Sequence, residues 1–157
     1  ARYEGNYKDG LKHGNGKMTY PGGDIYEGEW FENKMQGEGT YTYSKSTDIY
    51  SGAWLADKKH GRGTYEFGGD NSVMSGEWVE GQLTTGKWVL KGAAVYEGEF
   101  KQGRPFGEGK FAFESGLVQT GAYTEQKKSE DEEEEPAEEG EVRPPNVSWV
   151  GQSIVSF

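Results

Sequence analysis

The sequence predicts an all-β fold, an elongated single-layer antiparallel meander of stacked β-hairpins followed by an irregular acidic C-terminal tail. Three observations predict it. Glycines recur at Gly5, Gly28, Gly52, Gly76, Gly98 and Gly121, spaced 23, 24, 24, 22 and 23 residues apart. So short a period marks one supersecondary unit stacked on copies of itself, none of which can bury its apolar face alone. Inside each period the residues alternate with period two, a strand signal and not a helix signal. Finally, 157 residues with 26 glycines and only 32% hydrophobic residues hold too little aliphatic matter for a two-layer core. Aromatic residues, 14% of the chain, must supply the apolar area, and each buried ring removes roughly 150 to 250 Å² from water.

The second period displays the unit most fully. Tyr26, Gly28 and Trp30 share one strand face and Glu27 and Glu29 the other; after a turn, Gly39, Tyr41 and Tyr43 repeat the pattern against Thr40 and Thr42. One face is aromatic and the other wet. Glycine inside a strand ordinarily weakens it, so its recurrence on the aromatic face predicts slots in which neighbouring rings lie flat; the alternative is that the glycines mark bulges, and the two roles are compatible. Three residues after each first-half aromatic stand Gly10, Asn33, Asp57, Gly81 and Gly103, all tolerant of the positive φ that a tight hairpin demands. Pro21-Gly22-Gly23-Asp24 and Gly68-Gly69-Asp70-Asn71 read as the turns between hairpins.

The remaining periods follow in order. The first carries Gly14 and Gly16 before Met18 and Tyr20, and the third has Tyr50, Gly52 and Trp54, then Gly61, Gly63, Tyr65 and Phe67. In the fourth, Thr84-Thr85-Gly86 replaces the Gly-x-Gly and the period is a residue short, which predicts an altered twist or bulge before Trp88 and Leu90. The fifth restores the pattern with Tyr96, Gly98 and Phe100, then Gly107, Gly109, Phe111 and Phe113, and a half period follows at Gly121-Ala122-Tyr123. The domain division is therefore a ribbon over 1–126, an acidic linker over 127–141 and an apolar docking segment over 142–157.

Charge is uneven. Residues 1–126 carry 14 Lys/Arg against 18 Asp/Glu, and residues 127–157 carry 3 against 9, for a total of −10. Such a balance repels phosphate backbones and anionic headgroups, which argues against nucleic acid and against a bare membrane as partners. There is no cysteine for disulfides or thiolate metal sites, and no apolar run long enough to cross a bilayer. Because residue 1 already stands inside a period, sequence is expected upstream.

No chemistry converges. His13 and His60 precede a Gly-x-Gly where Gln36 and Phe106 stand in other periods, and a catalytic base is not interchangeable with Gln or Phe. Gly14-Asn15-Gly16-Lys17 and Gly107-Glu108-Gly109-Lys110 lack phosphate-loop spacing and read as strand starts. The acid pairs Glu27/Glu29 and Glu97/Glu99 belong to a solvated sheet face. Neither catalytic residues nor cofactor or metal ligands are assigned. Lys8, Lys12, Lys34, Lys58, Lys59, Lys101 and Arg104 would line one long edge if every hairpin points the same way; solubility and edge protection explain them, and anionic binding is the alternative. After the acid run Ser129 to Glu141 the chain turns apolar, with Val147, Trp149 and Gly151 in alternation. Trp149, Val150, Ile154 and Phe157 are expected to be buried, either back on the ribbon or in another subunit by strand addition, with Trp149 as the anchor.

The cassettes Tyr26/Gly28/Trp30 with Gly37/Gly39, and Tyr50/Gly52/Trp54 with Gly61/Gly63, resemble the MORN repeat, whose pattern is Tyr-x-Gly-x-Trp followed by Gly-x-Gly. The resemblance covers residues 1 to about 123. The succession of a shortened fourth repeat, a good fifth, a half repeat, an acidic run and a Pro/Trp segment is similar to that of MORN subunits of the ciliary radial spoke head. This resemblance implies a non-catalytic structural subunit in the axoneme of cilia and flagella, serving motility by relaying signals between the central pair and the dynein arms. Its implied partners are other radial spoke head subunits, a second copy or a sister MORN protein, and, indirectly, central-pair projections. MORN repeats also occur in lipid kinases, junctophilins and lysine methyltransferases, so a phosphoinositide-binding membrane tether is the competing expectation.

Overall fold

In a computed structural model, which describes residues 1–125 and 147–156, those residues form twelve strands and no helix. In order these are β1 (Arg2–Lys8), β2 (Leu11–Thr19), β3 (Ile25–Phe31), β4 (Lys34–Thr42), β5 (Ile49–Leu55), β6 (Lys58–Glu66), β7 (Val73–Val79), β8 (Gln82–Leu90), β9 (Ala94–Lys101), β10 (Arg104–Phe113), β11 (Leu117–Glu125) and β12 (Val147–Ser156). They pair antiparallel, in sequence order, into one open sheet, so the meander is as predicted. At about 4.8 Å per strand the sheet runs roughly 50 Å across its strands.

The hairpin tips are two-residue turns with positive φ at both positions: Asp9 and Gly10, Glu32 and Asn33, Ala56 and Asp57, Glu80 and Gly81, Gln102 and Gly103. Two consecutive left-handed residues match the right-handed twist of the flanking strands. Backbone bonds from Asn33 N to Lys12 O, Asp57 N to Met35 O and Gly81 N to Lys59 O tie each tip to the hairpin before it. These tips therefore lie along one edge of the ribbon, as the orientation of the tip lysines requires.

One glycine from every strand falls on a single cross-strand line. Gly5, Gly16, Gly28, Gly39, Gly52, Gly63, Gly76, Gly86, Gly98, Gly109, Gly121 and Gly151 pair successively in register. Both expected glycine roles occur, at different positions. A side chain at Gly39 would fall inside the Tyr26 ring, and one at Gly63 inside the Tyr50 ring, so these are ring slots. Gly37, Gly61 and Gly107, with φ of 82°, 62° and 65°, instead form bulges in which the second strand carries two extra residues. The Gly-x-Gly stretches thus sit inside strands and are not strand starts. In the fourth hairpin the bulge persists but is one residue smaller, between Glu77 and Trp78, which accounts for the missing residue.

The C-terminal segment supplies the second half of the half repeat. β12 pairs with β11 from Leu117↔Ser156 to Glu125↔Val147, placing Trp149 opposite Tyr123 and Gly151 opposite Gly121. Of the two burial places open to it, the segment takes the ribbon itself. The acidic linker and Phe157 lie outside the described residues.

Candidate functional site

The aromatic face is built from the ring slots outward. Tyr26, Tyr50 and Tyr96 are 0% exposed although the structure has only one layer, because each lies over its glycine and is flanked by other rings. Their hydroxyls donate to the carbonyls of Glu29, Ala53 and Glu99 at 2.8, 2.9 and 3.2 Å. Burial raises all three phenol pKa values, that of Tyr96 to about 12. Trp30, Trp54 and Trp78 donate their indole N–H to Gly16, Gly39 and Gly63 carbonyls at 3.1, 3.1 and 3.0 Å. Gly39 and Gly63 thus each give an open Cα to one ring and a carbonyl to another. The rings then run edge to face in an unbroken row: Tyr3, Trp30, Tyr26, Trp54, Tyr50 and Trp78, with centroids 5.1 to 5.5 Å apart. This T-shaped geometry sets the positive ring edge against the negative ring face.

At Met74, where the other repeats have tyrosine, the row stops. It resumes as Phe100 against Tyr96 and ends on Tyr123 and Trp149. Trp149 packs edge to face on Phe111 at 5.0 Å, sits over Gly121 and donates its indole N–H to Gln119 Oε1 at 2.7 Å. Val150, expected to be buried, is instead 53% exposed, because alternation along β12 turns it to the face opposite Trp149. Ile154 pairs with Gln119 through the backbone.

Beside the closed row lies a second, half-buried row, including Met18, Tyr20, Tyr41, Tyr65, Phe67, Trp88 and Phe111, packed on the first and, among the described residues, covered by no other element. Asp24 and Asp48 fasten it. Asp24 accepts from the Ser44 amide at 2.8 Å and the Tyr41 hydroxyl at 2.9 Å, which hold its carboxyl below the ordinary range. Asp48 takes the Gly68 amide at 2.8 Å and the Tyr65 hydroxyl at 2.6 Å; burial would raise its pKa, but these donors outweigh it and lower the carboxyl. Sequence reading took Asp24 only as a turn former and gave Asp48 no role.

On the wet face a shallow trough of about 870 Å³ runs over the glycine line between β5 and β9. Ser51, Thr64, Ser75, Lys87 and Glu97 form one bank, and Arg62, Glu77, Thr85 and Glu99 the other. Arg62 pairs with Glu77 at 3.1 Å, and Glu97 lies between Lys87 and Lys110. Nearer the tips, Phe31, Leu55 and Val79 occupy the same position in successive hairpins and are 45%, 45% and 47% exposed. Sequence reading missed this stripe. Its signal was present: each is an apolar residue directly after the repeat tryptophan, with wet-face parity.

The tip lysines divide. Lys12 sets its ammonium 5.3 Å from the Trp30 ring, and Lys59 lies 5.4 to 5.7 Å from Tyr43, Tyr50, Tyr65 and Trp78. Burial lowers the Lys59 pKa. Lys58 pairs with Glu80 at 2.6 Å, and Lys101 covers the Phe106 ring. With Asp9, Glu32 and Asp57 also at the tips, this edge is a mixed one. His13 packs on Phe31 with ring centroids 5.1 Å apart. Among the described residues no three His, Cys, Asp or Glu side chains converge on a common metal position.

The geometry is that of a binding surface: an uncovered ring row, an apolar stripe and a polar trough on one sheet. Comparison with known families agrees with the repeat architecture, because the MORN repeat model matches residues 3–25, 26–47, 50–72 and 96–118. The unmatched stretch contains the fourth hairpin, where the ring row breaks. With more than half of its residues covered by four copies of that repeat, the chain belongs to the MORN repeat family.

Proposed function

We propose that this chain is a non-catalytic structural subunit of the axonemal radial spoke head, gathering other spoke head subunits and helping to pass mechanical signals from the central pair to the dynein arms. The scaffold part of this reading rests on the exposed stripe of Phe31, Leu55 and Val79 on three consecutive hairpins. Large apolar side chains repeated at one position on a water-facing surface mark a protein contact. The spoke assignment rests on the order of repeats, half repeat, acidic run and Trp segment in the sequence.

The test is a tagged chain expressed in ciliated cells. The expected result is axonemal localisation and co-purification with spoke head subunits. The triple variant F31S/L55S/V79S should lose the co-purifying subunits while keeping the wild-type melting temperature. Plasma-membrane localisation with sedimentation on phosphoinositide vesicles would overturn the proposal in favour of a membrane tether. The neutralised tip edge speaks against that tether, since its lysines are partly committed to rings and to Glu80.

A further inference from the structure

The bulges of the second and fifth hairpins are capped by a carboxylate from the neighbouring strand. Glu29 Oε2 accepts the Glu38 amide N–H at 2.5 Å, and Glu99 Oε2 accepts that of Glu108 at 3.2 Å. In both, the carboxylate occupies the space over the positive-φ glycine, where a side chain on Gly37 or Gly107 would collide with it. The third hairpin builds the same bulge, with Gly61 at φ 62° and the same two extra residues. At the position of Glu29 and Glu99, however, stands Ala53. A side chain on Gly61 would meet only the Ala53 Cβ, at 3.4 Å. The Arg62 amide, placed as those of Glu38 and Glu108 are, therefore has no capping carboxylate from the neighbouring strand among the described residues.

This gap opens on the wet face at the wall of the trough, which Arg62 itself lines. The Arg62 guanidinium is 91% exposed beside the gap and pairs with Glu77. We propose that the third-hairpin bulge is a carboxylate berth that receives a glutamate or aspartate side chain from an extended segment of a partner protein lying in the trough. The partner's carboxylate takes the place that Glu29 and Glu99 fill in their own hairpins and accepts the Arg62 N–H. Charge-assisted bonds to backbone amides are among the stronger hydrogen bonds, and the hydroxyls of Ser51, Thr64 and Ser75 along the bank suit a polar, extended chain. The berth is a property of this repeat and does not depend on which assembly holds the chain.

Amide resonances of the whole chain read the test directly. Titration with sodium acetate, against sodium chloride at equal ionic strength, should move the Arg62 amide proton downfield in a saturable way and leave the already capped Glu38 and Glu108 amides in place. A capped peptide of sequence Thr-Ser-Glu-Ser-Thr should bind at least tenfold more tightly than acetate; equal affinity would overturn the assignment to a protein partner. A53E should supply the carboxylate internally and abolish the response of Arg62. E29A should open an equivalent berth and confer the response on Glu38, a reading that stands even if A53E fails to fold. An Arg62 amide unmoved by acetate, a persistent response in folded A53E, or no response at Glu38 in E29A would each refute the berth.

Discussion

The first three hairpins and the fourth share a backbone plan but are fastened differently, and the difference separates what the repeat requires from what it adds. In β1 to β7 the rings form one row from Tyr3 to Trp78, and carboxylates at Asp24 and Asp48 bind the turns and tyrosines of the following hairpin. Tip side chains do the same, with Asn33 and Asp57 accepting the backbone N–H of Lys12 and Met35 at 2.9 and 2.8 Å. The fourth hairpin keeps the glycine line through Gly76 and Gly86 but has Met74 for tyrosine, Ser72 for the turn carboxylate and Gly81 for the tip side chain. Its Trp88 indole N–H is buried without an acceptor among the described residues. The glycine line and apolar filling suffice to continue the sheet, whereas the ring row and clamps add stiffness to particular joints.

The largest effect should come from the ring slots. Gly63→Ala places a methyl group inside the space of the fully buried Tyr50, which is itself held between Trp54 and Trp78. Overpacking of this kind costs about 3 kcal/mol, seen as a lower urea midpoint. Gly22→Ala, with nothing within 4 Å of the new carbon, should change stability by less than about 0.5 kcal/mol. Equal effects at the two sites would remove the distinction between slot and spacer.

The clamps come next. Asp48→Ala strands the Tyr65 hydroxyl and the Gly68 amide and should cost about 1 to 2 kcal/mol, near the lower value because the carboxylate is only partly buried. Converting the fourth hairpin tests the same idea in reverse. Ser72→Asp with Trp88→Tyr recreates the Asp24–Tyr41 pair, and the double variant should exceed the sum of the singles by about 1 kcal/mol. Additive singles would mean the carboxylate and phenol do not form a unit.

Acid should discriminate the two regions as well. Asp24 and Asp48 have folded pKa values below their unfolded ones, so their stabilisation is complete above the unfolded value near 3.9 and is lost as pH falls through the lower folded values. Hydrogen exchange at the Ser44 and Gly68 amides, corrected for its intrinsic pH dependence, should accelerate in that window while the Phe67-to-Ser72 turn bond, from a backbone amide to a backbone carbonyl, loses protection only with global unfolding.

Most of this fold was legible because its signals are local and repeated. Alternation gave the faces, the residue types tolerant of positive φ gave the tips, and six phased glycines gave the repeat into which the slots fit. What stayed hidden depends on geometry between repeats. Asp24 and Asp48 look like ordinary turn residues until the next hairpin brings Tyr41 and Tyr65 against them. Lys59, read as a solvated tip charge, folds back over four rings because its strand position matches that of buried Met35 and Leu83. The Val147–Ser156 strand could be anticipated as apolar and alternating, but its pairing with β11 is separated in sequence by the acidic run.

The finest contrast is at the tips. Gly81 at φ 84° repeats the backbone of Asn33 and Asp57 and donates its N–H to Lys59 O, yet it has no side chain to accept the N–H of Lys59 in return. At the tip itself the side-chain tie is the exposed Lys58–Glu80 pair, and exposed ion pairs lose in side-chain entropy and screening much of what they gain in attraction. Gly81→Asn should therefore restore the missing bond, since asparagine tolerates the left-handed conformation, and raise stability by about 0.5 to 1 kcal/mol. Lys58→Ala should leave the urea midpoint unchanged within error. If instead Lys58→Ala lowered the midpoint and Gly81→Asn did nothing, the joint between the third and fourth hairpins would be held by charge, and the tip clamps of the earlier repeats would be ornaments of a sheet already fixed by its rings.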